Sequence, residues 1–139
     1  MKILLVDDDQ NLLSTIKKRL LKRGCTVFTA SSGFEALENL RNQYIHVVVL
    51  DVKMPGMNGI EILKEIKRQF PLVQVIMLTG VPTVGCASDS LKIGALSYLI
   101  KPVDIEELLS KIKKAYAQRQ RLEQKIRNTQ IKVLGHKFK

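Results

Sequence analysis

Five short aliphatic runs, each followed by a stretch with apolar residues at helical spacing, constrain this chain more than any other feature. Lys2–Val6, Thr26–Ala30, His46–Leu50, Val73–Leu78 and Leu96–Ile100 are strand-like. The third, His-Val-Val-Val-Leu, is a continuous apolar run, as expected of a strand covered on both faces. Between the runs, Gln10–Arg23 carries Leu12, Leu13, Ile16, Leu20 and Leu21 at helical spacing, and Gly24 ends it. Ser32-Gly33-Phe34-Glu35 opens a second helix bearing Ala36, Leu37 and Leu40. Pro55-Gly56-Met57-Asn58-Gly59 is turn chemistry, and Ile60–Phe70 is helical with Ile62, Leu63 and Ile66 on one face. Thr83–Ile93 is a weaker helix, because Gly85 and two serines lower its propensity. Asp104 is placed to cap a last helix, with Glu106 and Glu107 in the first turn. That helix is predicted to start at Ile105 and run past Ile126.

Strands alternating with helices imply an α/β fold around a parallel sheet, and right-handed crossovers put helices on both faces. In such sheets the functional crevice lies beyond the carboxyl ends of the strands. Polar residues directly after the strands are therefore the candidate site. Asp7, Asp8 and Asp9 follow the first strand, Asp51 the third, Thr79 the fourth and Lys101 the fifth. The second is followed only by Ala30-Ser31-Ser32, so it reads as peripheral.

The chemistry of that set is coherent. Carboxylates converging at one edge repel one another unless a cation is present. Oxygen ligands without His or Cys favour a hard ion, Mg²⁺ with waters retained. Asp51 is then placed to attack phosphorus and form an acyl phosphate. Lys101 would pair with one phosphoryl oxygen and Thr79 would donate to another. Positioning and charge neutralisation supply most of the catalysis in such a transfer.

Ile3-Leu4-Leu5-Val6-Asp7-Asp8-Asp9 and Val49-Leu50-Asp51-Val52-Lys53-Met54-Pro55-Gly56-Met57-Asn58-Gly59 carry a family resemblance, together with Met77-Leu78-Thr79-Gly80 and Gly94-Ala95-Leu96-Ser97-Tyr98-Leu99-Ile100-Lys101-Pro102. With these four pieces in order, each at a strand end, the sequence resembles a response-regulator receiver domain of two-component signalling over about residues 1 to 117. The resemblance implies a flavodoxin-like, doubly wound five-stranded sheet of order 2-1-3-4-5. It implies that Asp51 is the phosphoacceptor and that Asp7 and Asp8 are the metal-binding pair, with the backbone carbonyl of Lys53 completing the Mg²⁺ site. It makes Thr79 the switch hydroxyl, Tyr98 the switch aromatic and Lys101 the phosphate-pairing lysine. The implied partners are a sensor histidine kinase or phosphotransfer protein and a downstream effector or output domain. The implied activity is a regulatory switch and not an enzyme of metabolism.

Two positions depart from what that chemistry would favour. Lys53 stands two residues after the phosphoacceptor. Val81, two after Thr79, supplies no polar group to orient attacking water, so slow self-dephosphorylation is expected. The fourth helix, with Gly85, Cys86, Ser88 and Ser90, is expected to be mobile or irregular. Other residues have plainer readings. Asp9 reads as a helix cap, His46 as a strand-edge residue and His136 as part of a tail. Gly33, Gly56, Gly59 and Gly94 read as turn or helix-end glycines. Cys25 and Cys86 read as reduced thiols, lacking any metal or disulfide spacing. Taken alone, Tyr98 is also what a half-buried strand favours.

Charge divides the chain. Residues 1–110 hold 13 basic and 12 acidic side chains, a net +1, and residues 111–139 hold 10 basic and 1 acidic, so +9 of the net +10 resides in the tail. The reading is a receiver over 1–117 and a basic helical extension or linker over 118–139. Ile105, Leu108, Ile112, Ala115, Arg119, Leu122, Ile126, Thr129 and Val133 form a heptad-like seam with two polar interruptions. The first four are expected to pack on the domain. The later ones either stay solvated or zip two chains, and direct nucleic-acid contact is the least favoured use. No apolar run approaches the roughly 20 residues of a membrane span, and no signal-peptide pattern opens the chain, so a cytoplasmic protein is expected. Two competing functions remain. An aspartate-nucleophile phosphatase would place a second carboxylate where Lys53 stands. A constitutive binding module would not need the acidic pair, Thr79 and Lys101.

Overall fold

A computed structural model of the protein describes the backbone of residues 1–53, 58–80 and 84–137, and side chains for all of these except 84, 136 and 137. The expectations placed on Pro55, Gly56, Met57, Val81, Thr83 and the His136 side chain lie outside the described residues. The elements alternate strictly: β1 (Lys2–Val6), α1 (Gln10–Leu21), β2 (Thr26–Ala30), α2 (Gly33–Asn42), β3 (Val47–Asp51), α3 (Gly59–Gln69), β4 (Gln74–Thr79), α4 (Val84–Ile93), β5 (Ser97–Ile100) and α5 (Ile105–Lys137). All pairings are parallel, in the order β2-β1-β3-β4-β5. This is the doubly wound sheet that the sequence implied, with β2 at one edge.

Two apolar layers sandwich the sheet, and strand alternation sorts the side chains between them. Leu4, Val6, Val48, Leu50, Val75 and Met77 face α2 and α3, meeting Ala36, Leu40, Leu63 and Ile66. Ile3, Leu5, Val47, Val49, Ile76 and Leu78 face α1 and α5, meeting Leu13, Ile16, Leu20, Leu108 and Ile112. The central strands are buried on both faces, which is why β3 and β4 read as unbroken apolar runs.

The helices begin where side chains satisfy their first N–H groups. Asp9, Ser32 and Asn58 cap α1, α2 and α3, accepting from Leu12, Glu35 and Glu61 N–H. Asp104 Oδ1 accepts from Glu106 N–H at 2.9 Å and so starts α5. The helix α4 is a regular α-helix over its ten residues, against the irregularity expected of it. Its buried Ser90 hydroxyl donates to the Cys86 carbonyl at 2.7 Å, which satisfies the polar atom within the helix.

The helix α5 spans 33 residues, about 50 Å at 1.5 Å per residue. Leu108, Ile112 and Ala115 pack on the sheet as expected, and Ile105 is half-buried. The seam does not stop there. Arg119, read as a polar interruption, is only 6% exposed, and its Nη1 donates to the Ile45 carbonyl at 2.7 Å. Beyond it Ile126, Ile131, Val133 and Leu134 are exposed.

Candidate functional site

The strand order reverses between β1 and β3, and both strands end in acid. Asp7 follows β1 and Asp51 closes β3, so the switch point of the sheet brings the two carboxylates together. Asp7 and Asp51 are buried, whereas Asp8 is exposed at the rim. One oxygen from each of Asp7, Asp8 and Asp51 lies within 4.8 Å of the others, close enough to share one ion. A purely carboxylate set suits a hard divalent cation.

Lys101 reaches into this group from the end of β5. Its Nζ donates to Asp7 Oδ2 at 2.8 Å and stands 3.7 Å from Asp51 Oδ1. Its N–H donates to the Thr79 carbonyl at 2.7 Å, so the ends of β4 and β5 are tied together beneath the site. A cis peptide bond joins Lys101 to Pro102. Asp7 is held from a second side, since its Oδ1 accepts from Asp9 N–H at 3.0 Å.

The site is electrostatically tense. Burial pushes the Asp51 carboxyl up from 3.8 to about 6, and the charge of Asp7 adds to this. Lys101 and the Lys53 N–H, which donates to Asp51 Oδ1 at 3.3 Å, pull the other way. Burial would lower the Lys101 pKa, but its hydrogen bond to Asp7 and the charges of Asp7, Asp51 and Asp9 outweigh that and leave it raised. A single lysine thus offsets only part of the clustered negative charge, which a bound cation would complete.

Thr79 is the last residue of β4 and is almost fully buried, level with Ile100 on β5. Tyr98 lies opposite Met77 on β5, half-buried against the layer that faces α2 and α3. Its hydroxyl is enclosed and has no hydrogen-bond partner among the described residues. Lys53 is exposed at the mouth. The structure therefore gathers Asp7, Asp8, Asp51 and Lys101 directly. It places Thr79 at the adjoining strand end and Tyr98 three residues before Lys101.

One contributor was undervalued by the sequence reading. Gly59, taken as a turn glycine, starts α3 hard against the end of β3. A Cβ there would collide with the Asp51 carbonyl oxygen and come within 2.7 Å of Val52 Cα and 2.9 Å of Val52 O. Its N–H also donates to the Val52 carbonyl at 2.7 Å. The glycine is what lets α3 close over the strand that presents Asp51. Its place eight residues after the acid was visible in the sequence, but the close approach was not.

Comparison with known proteins agrees with this geometry. The family model described as the response regulator receiver domain matches residues 3–113. The transcriptional regulatory protein ZraR of Escherichia coli strain K12 is 43% identical over 115 residues, covering 83% of this chain and 26% of that protein. The chain thus spans about a quarter of the length of that relative. The sporulation initiation phosphotransferase F of Bacillus subtilis strain 168 is 36% identical over 113 residues, covering 81% of this chain and 91% of that one. A solved response regulator receiver domain protein from Clostridium thermocellum superposes with a TM-score of 0.83 at 40% identity, covering 87% of this chain and 98% of that one.

Proposed function

The chain belongs to the response regulator receiver domain family of two-component signalling, and on that premise we propose that Asp51 is its phosphoacceptor. The observation that carries this is the convergence of Asp51 with Asp7, Asp8 and Lys101 at the switch point of the sheet. A carboxylate oxygen of Asp51 attacks the phosphorus of the donor. The donor's bond to phosphorus breaks, its leaving atom keeps the electron pair, and an acyl phosphate forms. Near neutral pH Asp51 is largely ionised, since its pKa is about 6, and is ready to attack. Lys101 pairs with one phosphoryl oxygen and the Thr79 hydroxyl donates to another.

Asp7, Asp8, Asp51 and the Lys53 carbonyl would hold Mg²⁺, which supplies charge neutralisation at the phosphoryl oxygens. Moving Thr79 toward a phosphoryl group vacates space beside β5, and Tyr98 responds on the face made by α4, β5 and α5. Its enclosed hydroxyl, without a hydrogen-bond partner among the described residues, supports a two-position side chain, because leaving such a group unsatisfied is costly. The domain then acts as a regulatory phosphoacceptor in the cytoplasm. It takes its phosphoryl group from a sensor histidine kinase or phosphotransfer protein and presents the altered face to an effector, an output domain or a second copy. The receiver proper is assigned to residues 1–117 and the basic extension to 118–139. Lys53, exposed where a phosphatase of the aspartate-nucleophile type would need an acid, weighs against small-molecule turnover.

The test is mass measurement after incubation with acetyl phosphate and Mg²⁺. Wild type gains one phosphoryl group and Asp51→Asn gains none. Omitting Mg²⁺ or adding a chelator abolishes the gain. Modification of the Asn variant to the wild-type extent would sink the assignment.

A further inference from the structure

At the edge of the sheet opposite the acidic cluster, a cleft of about 270 Å³ opens where the chain enters β3 and β4. Leu40, Ile45, Phe70, Leu72 and Val73 give it apolar walls, and Arg119 of α5 closes one side. Arg119 is only 6% exposed, yet its donors are not all used. Nε donates to Glu123 Oε1 at 2.8 Å and Nη1 to the Ile45 carbonyl at 2.7 Å. A guanidinium carries five N–H bonds, and although Arg119 also meets Tyr44, by a hydrogen bond to its hydroxyl and with the ring centre 4.7 Å from the guanidinium carbon, these contacts do not use all five.

The charge around the cleft is unbalanced as well. Lys67 Nζ donates to the Pro71 and Val73 carbonyls at 3.2 and 3.0 Å, which belong to the wall. Among the described residues it has no carboxylate at ion-pair distance. Glu123 is therefore one carboxylate against two cations. Burial, and after it the Arg119 charge, lowers the Lys67 pKa, and the same two causes lower that of His46 nearby, as an excess of positive charge would do.

We propose that this cleft is a binding site for a small organic anion, a monocarboxylate with an aromatic body. Its carboxylate takes the N–H bonds of Arg119 that Glu123, Ile45 and Tyr44 leave over, and its ring lies against Leu40, Phe70 and Leu72. The volume sits near the lower end of small-molecule sites, which start at about 300 Å³, so one ring and a short chain fill it. The apolar walls argue against inorganic phosphate, which would lose its hydration for a single guanidinium. The site is remote from Asp51 and does not depend on the phosphorylation reading. Because Arg119 is the last α5 side chain buried in the domain, the ligand would sit where the extension leaves it.

Titration of the full chain with phenylpropionate, followed by amide chemical shifts, tests this. Saturable shifts are expected within residues 40–46, 70–73 and 115–123, with millimolar or tighter affinity. The primary amide of the same acid should bind at least tenfold more weakly. Arg119→Gln should erase the difference between acid and amide. Leu72→Trp, which fills the cleft and leaves Arg119 in place, should abolish binding while the melting transition is retained. Four results would each overturn the proposal: equal affinity for acid and amide, shifts centred on Lys101 or the basic face of α5, binding that survives Leu72→Trp, and no shift up to the solubility of the probe. Shifts at the cleft that follow protein concentration instead of probe concentration would assign it to a second copy of the chain and overturn it equally.

Discussion

Asp51 costs the folded chain stability when it is ionised. Its pKa rises from 3.8 to about 6 on folding, first through burial and then through the Asp7 charge. The native state therefore holds more protons than the unfolded state between those values. Stability from this group is complete below the unfolded pKa and is lost as pH rises through about 6. At pH 7.5 without divalent ion, Asp51→Asn is expected to raise the unfolding free energy by on the order of 1–3 kcal/mol. It should also flatten the dependence of stability on pH between about 4 and 6. Urea denaturation of both proteins across that range measures it, and a destabilised Asn variant would contradict the electrostatic account. Tyr98 offers a second case, since its enclosed hydroxyl has no partner among the described residues. Tyr98→Phe should stabilise the fold by about 1 kcal/mol, the cost of leaving such a group unsatisfied. An unchanged or lower unfolding midpoint would show that the hydroxyl spends its time paired elsewhere.

Among the elements, the junction of β3 and α3 carries the most steric demand. Gly59→Ala places a methyl group against backbone atoms that no rotamer change can move. The variant should lose on the order of 1–3 kcal/mol or more. It should also shift the amide signals of Asp51 and Val52, because relief requires β3 and α3 to part. A stable variant with an unshifted Asp51 would refute the close approach. This junction also marks how far the sequence could be read. The alternation of elements and the residues Asp7, Asp8, Asp51, Thr79 and Lys101 at strand ends were legible, because strand ends and apolar period are local properties. The Asp7–Lys101 ion pair was not legible, because Lys101 was read as a partner of a phosphoryl oxygen and β3 and β4 lie between β1 and β5. What escaped were contacts set by interlocking surfaces. Nothing local says that Gly59 abuts Val52, or that His46 accepts from Lys2 N–H at 2.9 Å and stacks edge-on between Tyr44 and Tyr116. Arg119 escaped because a charged residue on an apolar stripe resembles an interruption, and only the Ile45 carbonyl opposite it makes it part of the interior.

Taken whole, the molecule is a nearly neutral body from which one basic helix departs, and the point of departure can be located. Arg119 donates to Ile45 O and Glu123, its guanidinium lies 4.7 Å from the centre of the Tyr44 ring, and the Tyr44 hydroxyl donates to Glu123. Past Glu123 the described α5 side chains are exposed. Assigning the receiver to residues 1–117 cuts α5 before this tie, although the tie fastens α5 to the turn between α2 and β3. Two truncations separate the alternatives. Ending the chain after Gln124 removes exposed helix, and stability should change by no more than about 0.5 kcal/mol, as for other surface changes. Ending it after Ala117 removes Arg119 and Glu123, strands the buried Ile45 carbonyl and uncovers Tyr44. That form should lose about 1–3 kcal/mol, the cost of an unsatisfied buried acceptor. Equal stability of the two forms by urea denaturation would put the boundary at 117 and make the Arg119 tie incidental. A loss confined to the shorter form would make residues 118–123 part of the folded receiver, and leave the basic stretch beyond them as the segment free to meet a partner.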